Sequence, residues 1–247
     1  MSNGLMNLAL LPGVIIIIYI FRKDKVEHEP IGLILKLLAL GALSCIPAVI
    51  LENLVTAFGP GYSEGTVEYA FFEAFCVAAL CEELCKYGLL RLGSWKSRHF
   101  DFRFDAIVYG VSVAVGFALL ENVLYVMEGG LQVALVRAVL SVPLHAFCGV
   151  FMGIFYGATK KYSIMGQRKK MRAAAWGGLL VPILIHGIYD ALAFLGTLYA
   201  EILLLAFVVF MYIIAIRYVN KYAREDWRAG FYTAPLSDMP LDGENQR

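Results

Sequence analysis

The sequence predicts an all-α polytopic membrane protein, and its composition and apolar stretches support that fold class. Of the 247 residues, 60% are apolar and 17% are charged, and the mean hydropathy is +0.69. Soluble chains carry roughly 25% charged residues, and a soluble fold would leave too much of this apolar surface in water. Disordered, nucleic-acid-binding and small disulfide-linked secreted proteins are therefore excluded as the main class.

Seven apolar stretches approach or exceed the length of about 20 residues that a helix needs to cross a bilayer. The first lacks a basic leader and is followed by a charged stop, so we expect a span and not a signal peptide. The second and fifth are long, and Pro47 and Pro143 are predicted to kink them. The predicted spans are 5–21, 31–57, 67–91, 105–127, 131–158, 173–195 and 198–219.

The distribution of basic residues predicts the orientation. Eighteen of the 21 Lys and Arg residues lie in alternate loops or after the last span, whereas the loops 58–66, 128–130 and 196–197 contain none. Because cytoplasmic loops carry the excess of basic residues, the N-terminus is predicted outside and the C-terminus in the cytosol.

Two short links predict helix neighbours, because such links join antiparallel helices. Gly129-Gly130 connects spans four and five, and Gly196-Thr197 connects spans six and seven. We expect one transmembrane helical domain over 1–224, with its core at 67–195, and a flexible cytosolic tail over 225–247.

Ionisable residues within the predicted spans indicate function. Each costs at least about 2.5 kcal/mol near the bilayer centre, and ion pairing alone rarely needs two histidines and four acids. Spans three to six are therefore predicted to enclose a polar cavity. The residues concerned are Glu82, Glu83, Lys86, Glu121, His145, His186 and Asp190.

The acidic pair Glu82-Glu83 is followed by Lys86 at i+4 and i+3, so Lys86 can reach either carboxylate. Neighbouring helix residues point about 100° apart, so we expect the two carboxylates to face different surroundings. The less compensated one suits general-base chemistry. A structural Glu–Lys pair near the cytosolic side is the alternative.

Phe117 and Glu121 lie on one helix face, and Asn122 beside them is expected to orient Glu121 by a hydrogen bond. The alternative is an ion pair between Glu121 and Arg137 across the hairpin. Arg137 and Glu52 are otherwise expected to snorkel or pair near the outer ends of their spans.

His186 precedes Asp190 by four residues, so the carboxylate can hold the imidazole in one tautomer. For a single membrane histidine such as His145, an interhelical hydrogen bond is the ordinary interpretation. Two histidines together with several acids favour a shared site.

Depths along the spans argue against a single site if the helices are straight. At 1.5 Å per residue, Glu82 and His145 lie about 21–23 Å below the outer ends, and His186 about 14 Å. Glu121 and Asp190 lie about 8–9 Å below them. A shared site therefore requires kinked or tilted spans.

Four segments in order carry a resemblance. They are EELCK at 82–86, FALLEN at 117–122, HAFCGVFMG at 145–153 and HGIYD at 186–190. Together they resemble the PrsW family, part of the superfamily of CAAX prenyl endopeptidases and bacteriocin-processing membrane proteases. The resemblance covers about residues 67–195.

The resemblance implies a multi-pass peptidase in a bacterial cell membrane that cleaves a membrane-anchored protein. Relatives are associated with first-site cleavage of membrane-bound anti-sigma factors. No nucleic acid and no small-molecule cofactor is expected as a partner besides the lipid bilayer and the substrate.

Carried over by motif, Glu82 or Glu83 is the general base, and His186 with Asp190 stabilises the oxyanion. Glu121 takes the second-motif position, where prenyl endopeptidases have His, and His145 is the third-motif histidine. The supporting residues are Lys86, Phe117 and Asn122.

The Glu at position 121 makes a metal site plausible, because carboxylates and imidazoles bind zinc and other divalent ions. Without metal, Glu83 would deprotonate water and His186 would donate to the oxyanion. With metal, the ion would activate water while one Glu acts as base. The sequence leaves both open, with a slight preference for a metal-capable site. The candidate ligands are Glu83, Glu121, His145 and His186.

Two other functions also fit buried acids and histidines. A proton-coupled transporter would use them as a proton relay, but the two repeated halves typical of such carriers are absent from the sequence. A non-catalytic scaffold that binds transmembrane helices is the second.

Overall fold

The structure, a computed structural model, describes residues 3–226. Within these residues the chain is all-helical, which confirms the predicted fold class. The predicted flexible tail lies, except for its first two residues, outside the described residues. The helices are α1 (Asn3–Lys23), α2 (Ile31–Ala57), α3 (Val67–Phe72), a π-helical segment (Glu73–Ala79), α4 (Leu80–Ser94), α5 (Arg103–Val139), α6 (Ser141–Ile164), α7 (Arg168–Leu195) and α8 (Leu198–Glu225).

Five helical segments of the described chain are long and apolar enough to cross a membrane. One of them, 103–164, contains two of the predicted spans. The third predicted span is divided by the π-helical segment, and its charged part α4 is too short and polar to qualify. The count of seven spans and the orientation of the termini therefore remain predictions.

The predicted hairpin between spans four and five is formed at Gly130. This residue interrupts α5 with φ 67° and ψ −150°, a left-handed backbone that favours glycine. Beyond it the chain folds back, since Arg137 contacts both Asn122 and Tyr125. The end of α5 is therefore a second, antiparallel arm.

A break at Leu140 separates this arm from α6. Leu140 has φ −108° and ψ −62°, and Pro143 lies in the first turn of α6. Proline has no N–H, so the carbonyl of Val139 loses its partner four residues later, which explains the break. The predicted kink of the fifth span is thus confirmed.

The core lies around the first half of α5, where every residue from 104 to 118 is buried. This half packs against α1, α2 and α6. Glycines allow the contact with α6 to be close: a Cβ on Gly110 would lie 2.4 Å from the carbonyl oxygen of Gly149, and one on Gly153 would lie 2.4 Å from that of Ala106. Small residues at such contacts are typical of packed membrane helices.

The π-helical segment lies immediately before the acidic motif on α4. A π-helical turn takes up more residues than an α-helical turn, so it changes the face that the following residues present. Glu82, Glu83 and Lys86 are all buried, and α4 packs against α2, α5 and α7. Such segments are frequent at functional sites.

Candidate active site

Lys86 lies at the centre of the polar cluster and is fully buried. Its Nζ is 2.9 Å from Glu82 Oε2 and 2.8 Å from Glu83 Oε1, and it also lies 4.0 Å above the ring of Phe117. The two carboxylates therefore share one cation, although the side chain of Glu82 is 10% exposed and that of Glu83 is fully enclosed. Their side chains start about 100° apart but are long enough to converge on one ammonium group.

His186 on α7 joins this cluster from the opposite side. Its Nδ1 is 2.9 Å from Glu83 Oε1 and 3.9 Å from Glu82 Oε2, and its Nε2 is 3.2 Å from Asp190 Oδ2. Carboxylates accept and do not donate, so this arrangement is satisfied when both ring nitrogens carry protons. His186 is therefore placed as an imidazolium between two acids, with Asp190 orienting it as its i+4 spacing suggested.

His145 on α6 lies against His186, with ring centroids 5.1 Å apart and the planes nearly perpendicular. Its Nδ1 is 3.0 Å from Lys86 Nζ, and its Nε2 is 2.8 Å from Glu121 Oε2. Because an ammonium group only donates, Nδ1 must accept and Nε2 must carry the proton. The contacts thus define a neutral His145 that donates to Glu121.

Arg137, on the second arm of α5, extends the cluster towards α1. Its Nη2 is 2.9 Å from Glu121 Oε2, and its Nε donates to Asn122 Oδ1 at 3.0 Å. Asn122 in turn donates to the carbonyl of Ala9 at 2.8 Å. Asn122 therefore orients Glu121 through Arg137 and not directly, and Arg137 is part of the site instead of snorkelling outwards.

Glu52 on α2 is a second residue whose place the sequence reasoning missed. It is partly buried and close enough to interact electrostatically with Glu82, Glu121 and Lys86. Its position near the end of an apolar span gave no sign of this, since only the packing of α2 against α4 and α5 brings it near. Glu52 thus adds a carboxylate to the side of the cluster that faces α2.

Four of these residues form a candidate metal-binding group. The ligand atoms of Glu82, Glu83, His145 and His186 all lie within 4.8 Å of one another, and all four residues are buried. Glu121 is not in this group; it contacts the far nitrogen of His145. The group in the structure therefore contains Glu82 in place of Glu121, which the sequence analysis had named as a candidate ligand.

The surroundings of the group suit a metal. Each imidazole bonds a carboxylate through Nε2 and turns Nδ1 towards the shared centre, as metal-binding histidines with an outer carboxylate do. Glu83 Oε2 is buried without a hydrogen-bond partner among the described residues. The donor types thus fit a divalent ion, but the ammonium of Lys86 lies at the same centre, 2.8–3.0 Å from Glu82, Glu83 and His145. A bound ion would take the place of that ammonium and of the proton on Nδ1 of His186.

Comparison with known proteins identifies the family. A family model described as "PrsW family intramembrane metalloprotease" matches residues 29–216, which is more than half of the chain. The chain belongs to the PrsW family. All four motifs that form the polar cluster lie within the matched residues, so the members of this family share the segment that carries the site.

Individual curated proteins of the PrsW family are also similar to this chain. A protein named Protease PrsW from Clostridioides difficile (strain 630) is 32% identical over 94% of this chain and 96% of its own length. The protein of that name from Geobacillus kaustophilus (strain HTA426) is 35% identical over 76% of this chain and 78% of its own length. The one from Bacillus subtilis (strain 168) is 32% identical over 88% of this chain and 95% of its own length. No solved structure matches the chain.

Membership of the PrsW family establishes the general activity. The chain is a peptidase of bacterial membranes that crosses the bilayer several times, and its substrate is a protein. The family description also names a metalloprotease, and the donors around Lys86 are of the right chemistry for one.

Proposed function

We propose that this peptidase hydrolyses a peptide bond in a membrane-anchored protein, using water activated by a glutamate of the 82–83 pair. The observation that carries the proposal is the convergence of Glu82, Glu83, His145 and His186 from three helices on one buried centre. Burying so many ionisable groups is costly, and a catalytic centre is the use that best accounts for it.

Glu82 is the better candidate for the general base. A base must reach both the water and the substrate, and the side chain of Glu82 is 10% exposed, whereas that of Glu83 is fully enclosed. Glu83 lies between Lys86 and His186 and bonds to both, so its role is to fix these two cations.

His186 is the candidate for stabilising the oxyanion. Its Nε2–H points to Asp190, whose side chain is 14% exposed, and this 3.2 Å contact is longer than the 2.9 Å contact to Glu83. A donor on the accessible side of the ring can move from Asp190 to the developing oxyanion while Glu83 holds the other nitrogen.

A divalent ion would be held by Glu83, His145 and His186, three members of the buried group, which leaves Glu82 as the base. When bound, such an ion lowers the pKa of water and polarises the scissile carbonyl. Glu121 and Asp190 would then keep the two imidazoles oriented through their Nε2 atoms.

The location of the site and the family support a membrane-anchored substrate. The cluster lies between helices that are expected to cross the membrane, so the peptide bond must be presented within or beside the bilayer. We propose a single-span protein of the anti-sigma-factor type, cleaved first by this enzyme and later by others.

The test is co-expression with candidate single-span substrates. Wild type should release a new fragment, and Glu82→Gln should lower the cleavage rate by about 10²–10⁴-fold, the range for loss of a general base. Glu68→Gln is the matched control, since Glu68 is an exposed acid that begins α3 and should cleave normally. Measuring cleavage after chelation, and again after a divalent metal is added back, tests whether the reaction needs a metal.

One result would overturn the proposal, and a second would exclude only the metal. Normal cleavage by both Glu82→Gln and His186→Gln would show that the cluster is not the catalytic centre. If the chelated protein held no metal and kept full activity, the metal-dependent version would be excluded and the glutamate mechanism would stand.

A further inference from the structure

A second group of buried carboxylates lies at the end of the helix bundle where α1 and α8 finish and α5 begins. Asp24 follows α1, Asp105 lies in the first turn of α5, and Asp226 follows α8. Each is at most 2% exposed, and one oxygen from each lies within 4.8 Å of the other two. The catalytic motifs contribute no residue to this group.

Backbone hydrogen bonds fix these carboxylates in place. Asp105 Oδ2 accepts from the N–H of Phe102 at 2.6 Å, and Asp226 Oδ1 accepts from the N–H of Phe104 at 2.8 Å. These bonds hold the side chains in position without a cation, so a ligand would meet a site that is largely preformed.

The group has unpartnered oxygens. Asp24 Oδ1 and Glu29 Oε2 are buried and have no hydrogen-bond partner among the described residues. Glu29 is 5% exposed, lies within hydrogen-bonding reach of Asp105, and receives the hydroxyl of Tyr109 on Oε1 at 2.8 Å. It therefore adds a fourth carboxylate, with a free oxygen, to the three aspartates.

The four carboxylates have no ion-pair partner in the described part of the chain: none lies within 4 Å of a Lys, Arg or His nitrogen there. Arg103 interacts electrostatically with Asp226 from a longer distance, and its guanidinium lies 4.8 Å over the ring of Tyr222. One cation at that distance compensates four buried carboxylates only in part. Burial of a carboxylate without a partner is strongly unfavourable, so the group requires positive charge from another source.

Two helix ends add to the negative potential. α1 and α8 both finish at this point, and the C-terminal end of a helix carries a partial negative charge, whereas the N-terminal end of α5 contributes one partial positive charge. Either protons or a multivalent cation can relieve this, and only a cation does so while all the carboxylates are ionised.

We propose that Asp24, Asp105 and Asp226, with Glu29 beside them, bind a hard divalent cation of the Mg²⁺ and Ca²⁺ class. Hard cations take oxygen ligands, and this group offers only oxygens, unlike the imidazole-containing catalytic centre. The cation fastens the ends of α1, α5 and α8 to one another. It is a structural site and is separate from the proposed peptidase mechanism.

The test uses the purified full chain in detergent, stripped with a chelator. Mg²⁺, Ca²⁺ or Mn²⁺ should raise the Tm in a saturable way, and Mn²⁺ binding is read directly by electron paramagnetic resonance. Asp226→Asn should raise the Tm of the stripped protein, because repulsion is relieved, and should weaken cation binding at least tenfold. Glu225→Gln, an exposed neighbour, should behave as wild type.

Two further variants make the outcome decisive. His186→Gln, which alters the catalytic centre, should keep the full response to Ca²⁺. Glu29→Gln provides a second change in the carboxylate group if Asp226→Asn does not fold. No Tm response of the wild type to any of the three cations would overturn the proposal. An unchanged response in the carboxylate variant that folds would do the same.

Discussion

Replacing Lys86 with Met tests whether one ammonium group holds the catalytic cluster together. Lys86 is fully buried and lies 2.8–3.0 Å from Glu83, Glu82 and His145. Met is similar in length but has no charge, so both carboxylates lose their common partner. Removing one member of a buried ion pair costs about 3–5 kcal/mol, and we expect a loss of this size in the free energy of unfolding.

The assay is unfolding by titration with a denaturing detergent in mixed micelles, followed by circular dichroism after treatment with a chelator. Lys36→Met is the control, because Lys36 is exposed and donates to a single carbonyl, that of Gly93 at 3.0 Å. It should cost about 1 kcal/mol. Adding Glu83→Gln to Lys86→Met should recover part of the loss, since one uncompensated charge is removed.

An equal cost for the two lysine variants would refute this reasoning. It would mean that the carboxylates of Glu82 and Glu83 are neutral or otherwise compensated in the folded protein. The ammonium would then be a neighbour of the cluster and not its centre.

Three further predictions concern packing, orientation and pH. Gly110→Ala should lower the free energy of unfolding by about 1–3 kcal/mol through overpacking against α6. Gly88→Ala is the control, because a Cβ there meets nothing within 4 Å. Unfolding titrations of the two variants measure the difference. Asn122→Ala removes the acceptor that orients Arg137, so kcat for substrate cleavage should fall more than KM changes. The pKa of Asp24 is raised from 3.8 to about 7, so the folded state binds more protons between these values. The Tm of the chelated protein should therefore fall as pH rises through that window, and Asp24→Asn should flatten the slope.

Much of the architecture could be predicted from the sequence. Long apolar stretches place the helices, because backbone groups in a bilayer must be satisfied within a helix. Gly130 and Gly196 mark turns because both adopt positive φ, 67° and 56°. Pro143 marks the break before α6. Local physical requirements determine these features, so they can be inferred from short segments.

The arrangement of the site was harder to predict, because it depends on helix packing. The depth estimate treated the fifth span as one rod from residue 131, but the break at Leu140 allows His145 to reach Glu121. The convergence of two neighbouring acids on Lys86 depends on side-chain reach, which periodicity does not describe. Local spacing did indicate some contacts: Asp190 bonds to His186 at i+4, and Arg137 pairs with Glu121 across the hairpin as the alternative interpretation had it.

The contacts from Ala9 through Asn122 and Arg137 to Glu121 and His145 form an unbroken polar sequence that links α1 to the motif-bearing helices. Partial opening of any helix along it would leave a polar or charged group without a partner in a medium that cannot solvate it. Fluctuations that expose a single helix should therefore be rare, and the backbone amides along this route should exchange with deuterium together. The first helix carries none of the four motifs, but its contact with Asn122 helps to hold the residues of the protease centre in place.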